Sequence, residues 1–447
     1  MSRLPIKQMS QWVEEFSPFP TYGHVTNVLG IIIEGYCPNV AVGGVVEVYS
    51  LDRKQSCMAE VVGFREDKVL IMPLGELYGI GLGSPIAVRE KSATIKIGPE
   101  LIGRTVDGLL RPLDGGPKIE CEEVFSIYSS PINPLKRARI HDALDLGIRS
   151  VNGLLTVGKG QRMSILAGSG VGKSMLLGMM ARNTSAQVNV IALIGERGRE
   201  VREFIERDLG PEGMARSIVV CATSDVSPLI RMRAAFAATT IAEYFRKKGA
   251  DVLLMMDSIT RFSMAQREIG LSAGEPPTTR GYPPSAFAML PKLMERAGTT
   301  SSGGSITGIY TVLIEADDVN DPIGDAVRSV ADGHILLSRK LAAKGHYPAI
   351  DVPYSASRVM GEVISDEHKK IAYRMKSILA TYAEAEDLVN IGAYVKGSNA
   401  AIDESIQFIQ PIRDFLKQPF DSKATMAETV ALMSGIFDQG AKSGRKS

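Results

Sequence analysis

Residues 163–174 read Met163-Ser164-Ile165-Leu166-Ala167-Gly168-Ser169-Gly170-Val171-Gly172-Lys173-Ser174. A short apolar run enters a glycine-rich loop, and Lys-Ser then opens a helical pattern from Ser174 to Arg182. Strand, Gly-x-x-x-x-Gly-Lys-Ser/Thr loop and helix together form the setting of a phosphate-binding loop. Glycines let the backbone wrap closely around phosphate oxygens and turn several N–H groups inward. The helix N-terminus adds partial positive charge at the same place. Ala167 stands where the strict pattern has glycine, while Gly168, Gly170 and Gly172 supply the conformational freedom. In this frame Lys173 reaches the β- and γ-phosphates of a nucleotide, and Ser174 offers a hydroxyl to Mg²⁺.

The surroundings of the loop alternate between strand and helix from about Leu146 to Ser338. Candidate strands are Met163 to Leu166, Val188 to Ile194, Ile218 to Ala222, Val252 to Met256 and Thr307 to Ile314. Several are continuous apolar runs, as parallel strands covered on both faces require. Helical patterns such as Ile230 to Lys247 separate them, so the centre of the chain reads as a doubly wound α/β domain. Asp257 ends one apolar strand at the sheet's carboxyl edge, where ligands bind in such folds. An aspartate there is often only a helix cap; beside a phosphate loop it suits a metal-orienting carboxylate. Glu196 follows another strand at the same edge. Two readings of it stay open from spacing alone: a base for water, or part of a solvated charge run, Gly195-Glu196-Arg197-Gly198-Arg199-Glu200, that opens a helix from Glu200 to Leu209.

Either side of this domain the pattern changes. Between Thr21 and about Glu90, short runs rich in β-branched residues (His24 to Ile33, Val45 to Leu51, Met58 to Val62, Val69 to Met72) are punctuated by glycines. This spacing reads as a small β-barrel. Gly108 to Pro117 is a turn-rich lead into the next domain. Beyond Lys370 the strand signals vanish, and Met375 to Leu388, Ser398 to Gln407 and Met426 to Phe437 look helical. The polar stretch from Gly440 to Ser447 is expected to fray. Near the start, Met9, Trp12, Val13 and Phe16 share one helix face, which suits docking on the chain's own domain, on a partner or on a lipid surface. The expected division is 1–94 for this helix and the barrel, 95–370 for the phosphate-loop domain, and 371–447 for the helical end.

Composition bounds the rest. The 447 residues are 45% hydrophobic and 23% charged, with net charge +1 and four scattered cysteines. No global field favours nucleic acid. The barrel region carries Tyr22, Tyr36, Tyr49, Phe64 and Tyr78 but no basic stripe for single strands, so no nucleic-acid partner is expected. The cysteine spacing argues against a zinc site or a disulfide framework and suits a reducing cytosol. Neither a secretory signal over Met1 to Ile6 nor a run of about 18 apolar residues is present, so a membrane span is not expected.

Further motifs point to a family. Gly-Leu-Leu-Thr-Val-Gly-Lys-Gly-Gln-Arg precedes the loop, Leu-Ile-Gly-Glu-Arg-Gly-Arg-Glu-Val-Arg starts at Leu193, and Asp-Ser-Ile-Thr-Arg-Phe starts at Asp257. Gly-Glu-Pro-Pro-Thr-Thr-Arg-Gly-Tyr-Pro-Pro-Ser follows from Gly274, and Gly-His-Tyr-Pro-Ala-Ile-Asp-Val from Gly345. From about Gly103 onward the chain resembles the catalytic subunits of rotary-type hexameric ATPases, most closely the bacterial protein-export ATPases of the flagellum and of type III secretion. That resemblance implies a RecA-like P-loop NTPase core with a parallel sheet, an N-terminal barrel and a C-terminal helical domain, with ATP and Mg²⁺ as cofactors. It implies nucleotide contacts from Ala167, Gly168, Ser169, Gly170, Val171, Gly172, Lys173, Ser174 and Met175. It places Glu196 on the family's catalytic glutamate, Ser174 and Asp257 at the metal, and Arg197 and Arg261 at the γ-phosphate.

It also implies that Tyr347 stacks on adenine and that Arg358 reaches the neighbouring subunit's γ-phosphate, a contribution worth about 10³–10⁵ in rate. The implied partners are copies of itself in a hexamer, a regulator or stator, a central stalk, chaperone–substrate complexes and an export gate at the inner face of the cytoplasmic membrane. The stretches Val151 to Gly158 and Gly168 to Arg182 resemble the flagellar group more than the injectisome group. The segment from Asp318 to Asp325, followed by Asp332-Gly333-His334, suits the export ATPases better than a catalytic subunit of an ATP synthase or ion pump.

Overall fold

The computed structural model describes residues 22–314 and 321–443. The amphipathic stretch around Trp12, and Asp318 to Asn320 of the acidic segment, lie outside the described residues. Contacts divide the chain into two compact units, one gathering residues up to Thr94 with Ser126–Tyr128 and Glu268–Pro276, the other holding the remainder.

The first unit is a closed antiparallel barrel of β1 (Tyr22–Leu29), β2 (Ile32–Tyr36), β3 (Val45–Tyr49), β4 (Ser56–Arg65), β5 (Lys68–Pro73) and β6 (Pro85–Glu90). Their order is β1-β2-β5-β4-β3-β6, with β6 returning to β1. Alternate residues point inward, so Val25, Ile33, Val46, Val48, Val61, Val69, Ile71 and Ile86 fill the interior. The run His24 to Ile33 is two strands rather than one. Gly30 turns the chain at φ 58°, and the hairpin pairs Leu29 with Ile32. Apolar content alone hid this turn, because Ile31 within it is also apolar.

In the second unit the sheet contains β7 (Thr105–Asp107), β8 (Arg162–Ala167), β9 (Val188–Ile194), β10 (Ser217–Ala222), β11 (Asp251–Asp257), β12 (Ser305–Leu313), β13 (Gly333–Leu337) and β14 (Ala356–Ser357). The order is β14-β13-β8-β12-β11-β9-β10-β7, with Gly298–Thr299 paired beside β12. All neighbours along this order are parallel except β13 and β14. The five central strands fall where the apolar runs put them. The short strands β7 and β14 at the edges, and β13 inside β14, carry too few residues to announce themselves. β7 precedes the stretch read as a turn-rich lead and pairs Thr105 with Val219.

Helix α1 (Lys173–Asn183) follows the loop. The chain after Glu196 forms α2 (Gly198–Glu203) and then a π-helical turn over Phe204–Leu209, not the single regular helix expected from Glu200. Helix α3 (Pro228–Lys247) starts on Ser227, whose hydroxyl accepts from the Ile230 N–H, with Pro228 at the first position. Nearly all of α3 is buried, and its Glu243 pairs with the fully buried Arg296 at 2.7 Å. The helical end consists of α4 (Asp366–Asn390), α5 (Ala400–Leu416) and α6 (Met426–Ser443), the last running beyond Phe437.

One core spans sheet and helical end: Leu176, Leu177 and Met180 of α1 belong to the same buried cluster as Phe408, Ile412 and Phe415 of α5. On its other side α1 meets the π-helical turn so closely that a Cβ on Gly178 would lie 2.4 Å from the Asp208 carbonyl oxygen. Gly178→Ala gains helix propensity, but the clash is with backbone that has no rotamer to change. A net destabilisation of about 1–3 kcal/mol is expected from this overpacking, read as a lower urea midpoint with unchanged slope. Equal or higher stability would mean that the turn yields freely.

Candidate functional site

The phosphate loop leaves β8 at Ala167, which is still within the strand and fully buried. Its methyl group belongs to the core and its carbonyl accepts from Ile314 N at 3.0 Å. Glycine is therefore not required there, which accounts for the departure from the strict pattern. The left-handed positions are Gly170 (φ 77°) and Gly172 (φ 90°), where a side chain would be strained. Gly168 and Val171 are buried, while Ser169 and Gly170 are exposed at the crest. Ser174 and Met175 lie in the first turn of α1.

Three strands deliver charge to one point. Lys173 Nζ stands 2.5 Å from Asp257 Oδ1 at the end of β11 and 3.6 Å from Glu196 Oε1 beyond β9. Thr311 of β12 donates its hydroxyl to Asp257 Oδ1 at 2.6 Å. Burial drives the Lys173 ammonium toward neutrality, but Asp257 and Glu196 override it and the pKa is raised. Burial pushes the Glu196 carboxyl up to about 7, helped by the negative charge of Asp257 and a hydrogen bond with Glu200, against the pull of Lys173. Its Oε1 is buried and makes no hydrogen bond.

Ser174, Leu193, Glu196, Glu200, Val201, Phe204 and Asp257 line a space of about 20 Å³. That admits one water or one small ion. A hydroxyl and a carboxylate on its wall are hard oxygen donors of the kind Mg²⁺ takes. Among the described residues no group of three His, Cys, Asp or Glu could cage a metal. A cation here would complete its shell with water and substrate phosphate, as Mg²⁺ usually does.

The other candidates are placed differently. Arg261 lays its stem against Gly195, where a Cβ would come within 2.8 Å of it. Its Nε is buried without a hydrogen-bond partner. Tyr347 sets its ring edge over the loop, with Cδ1 and Cε1 3.4 Å from where a Cβ on Gly172 would stand. Arg197 does not join the cluster; its side chain is 76% exposed and pairs with Glu200 at 3.6 Å. Arg358 also stays apart, exposed just after the edge strand β14. Sequence reasoning missed Thr311, Glu200 and Phe204 as site residues. Thr311 interrupts an apolar run on a central strand, a signal that could have found it.

The nucleotide-binding domain of the ATP synthase alpha/beta family matches residues 147–357, and that family's beta-barrel domain matches residues 25–87. The C-terminal domain of the type III secretion ATPase EscN matches residues 364–435. A flagellum-specific ATP synthase of Bacillus subtilis (strain 168) is 50% identical over 425 residues, covering 95% of this chain and 97% of that one. A type 3 secretion system ATPase of Xanthomonas euvesicatoria is 51% identical over 424 residues, covering 93% and 94%. The assembled ATPase EscN from the enteropathogenic E. coli type III secretion system superposes with a TM-score of 0.87 at 44% identity, over 93% of this chain and 99% of that one. The same ATPase in complex with its central stalk EscO gives 0.85 at 43%.

A carboxyl with a pKa near 7 has a kinetic signature. Glu196 is protonated below that pH and accepts a proton only above it, so kcat/KM for ATP should climb through a limb near pH 7 and level off above. For stability the sign is opposite. The folded state holds this proton more tightly than the unfolded chain, so this group's contribution is full at pH 4 and is lost as pH rises through 7. A flat kcat/KM profile between pH 6 and 8 would remove Glu196 as the titrating base.

Proposed function

The chain belongs to the ATP synthase alpha/beta family, in the branch of flagellum-specific and type III secretion ATPases, and on that premise we propose that it works as a homohexameric ring whose ATP hydrolysis energises flagellar protein export. It is an ATP-hydrolysing enzyme. The observation that carries the proposed mechanism is the pairing of Lys173 with Asp257 and Glu196, two carboxylates that line one small space with Ser174, while Arg358 stands outside it.

In this reading the N–H groups of Gly168 to Ser174 hold the phosphates. Lys173, which pairs with two carboxylates here, turns to the β- and γ-phosphate oxygens. Ser174 and Asp257 hold Mg²⁺, which neutralises charge on the transferring phosphoryl group when bound. Glu196 orients a water and accepts its proton as the water oxygen attacks the γ-phosphorus and the bond to the β-phosphate breaks. Arg261, packed against Gly195 beside Glu196, turns its guanidinium from the Met264 sulfur to a γ-phosphate oxygen. Arg197 reaches it only by swinging in from solvent. Tyr347 offers its ring to adenine, an interaction worth about 1–3 kcal/mol by analogy with base stacking. Arg358 completes the site of the next subunit. Its planar, permanently charged fork suits a phosphoryl group.

Around the ring we place a regulator or stator, a central stalk, and chaperone–substrate complexes released or unfolded at the export gate. The ring sits in the cytoplasm against the inner face of the membrane. None of the described helices is long and apolar enough to cross it. The injectisome is the second reading, since relatives from both systems stand at 50% and 51% identity.

Two experiments test the proposal. ATPase rate per subunit should rise steeply with protein concentration. Arg358→Ala should lower it by about 10³-fold or more while ATP still binds, and Glu196→Gln should abolish turnover. A concentration-independent rate in a persistent monomer refutes the ring requirement. In cells, deletion should abolish flagellar filaments and leave ATP synthesis intact; filaments that persist while another secretion system fails would select the injectisome.

A further inference from the structure

Arg358 follows a two-residue strand at the sheet's edge, an unpromising foundation for a residue that must be placed to within an ångström. The structure shows what steadies it. The Arg358 backbone N–H donates to the Asp332 carbonyl at 3.0 Å, and Ser357 pairs with Gly333 across the ladder. Both anchor points meet the side chain of Gln161, which is fully buried just before β8. Its Oε1 accepts from Gly158 N–H at 2.8 Å, which fixes the amide's orientation. Its Nε2 then donates to the Asp332 carbonyl at 3.2 Å and to Ser357 Oγ at 3.1 Å. Ser357 Oγ in turn donates to the Thr156 carbonyl at 2.8 Å.

The neighbouring Arg162 grips the Asp332 carboxylate through Nε and Nη2, each at 3.0 Å. The packing leaves no slack, because a Cβ on Gly333 would lie 2.4 Å from the Ala356 carbonyl oxygen. One buried amide thus links the Asp332 carbonyl, which also takes the Arg358 N–H, to the hydroxyl of Ser357, the residue before the arginine.

We infer that Gln161 is a positioning residue for Arg358: it fixes the root of the arginine that serves the adjacent subunit, while touching no substrate itself. The inference rests on the trans reading of Arg358. A buried amide whose partners are backbone, the Ser357 hydroxyl and the Met163 thioether has no chemistry of its own to contribute. Replacing it with an apolar side chain takes away the donor to Ser357 Oγ, one of the two donors to the Asp332 carbonyl and the acceptor of the Gly158 N–H, and the edge strand loses its side-chain tether. Gln161 immediately precedes the strand that ends in the phosphate loop, so a subunit's own loop and the arginine it lends to its neighbour are tied to one element.

The test uses mixed rings of the full chain. Gln161→Leu should lower kcat at least about tenfold, with ATP affinity changed less than about twofold, since its own phosphate loop is untouched. Glu196→Gln is inactive but carries a sound Arg358. In a random one-to-one mixture, about a quarter of interfaces pair an intact Glu196 with an intact neighbouring arginine. The mixture should therefore exceed the activity of either variant alone. A purely structural fault in Gln161→Leu damages its own site and gives no such gain.

Arg358→Ala mixed with Glu196→Gln is the reference. If that pair fails to complement, the trans reading falls, and the inference with it. If that pair complements and the Gln161→Leu pair does not, the inference alone is refuted, as it is if Gln161→Leu keeps full activity. Should Gln161→Leu fail to fold, Ser357→Ala removes only the hydroxyl that Gln161 holds and is judged by the same criteria.

Discussion

A buried ammonium between two carboxylates organises this protein. Lys173 opens α1, Asp257 ends β11 and Glu196 lies just beyond β9, and each would be costly to bury alone. They are tolerable only together, and they meet only because the sheet order β8-β12-β11-β9 brings the carboxyl ends of those strands side by side. Thr311 on the intervening strand uses its hydroxyl to hold Asp257 in place. The same arrangement leaves Glu196 short of partners, so its carboxyl titrates near neutrality. Burial that would be a defect in a structural residue gives this one the pKa that the proposed base requires.

The site is not insulated from the helical end of the chain. Arg182, near the end of α1, donates to the Asp208 carbonyl on one side. On the other it donates to the Phe420 carbonyl at 2.8 Å and lies 4.2 Å from that ring's centroid. Phe204, at the start of the π-helical turn that contains Asp208, lines the space beside Glu196. Tyr347 is tied to the same region, because its carbonyl accepts from Gln418 N–H at 2.9 Å. The helices of the C-terminal end therefore share packing with the phosphate loop rather than hanging from a linker.

Much of this was legible beforehand, and the reasons are physical. The five central strands are long and apolar on both faces, so composition alone marks them. The phosphate loop announces itself through Gly170, Gly172 and Lys173, whose backbone and charge requirements few other residues meet. Asp257 is readable because it ends such a strand. What stayed hidden depends on contacts between distant segments. The short edge strands exist because neighbours offer them hydrogen bonds. The hairpin at Gly30 is masked by an apolar turn residue. The roles of Thr311 and Gln161 appear only when strands far apart in sequence are laid side by side. Glu196 was ambiguous for the same reason: a solvated charge run and a buried carboxylate look alike until Leu193, Val201 and Phe204 are seen to share one small space with it.

The closed barrel of residues 22–90 has a consequence for assembly. Its six strands use their backbone hydrogen bonds on one another, so it offers no open edge onto which a strand from another molecule could add. Contacts that barrels make between copies must then consist of side chains and loops such as those around Leu51, Tyr78 and Leu82, all exposed. Side-chain contacts form and break without unravelling a sheet. Subunits joined this way can part and rejoin with each barrel's own hydrogen bonds intact, so assembly and folding are separate steps for this part of the chain.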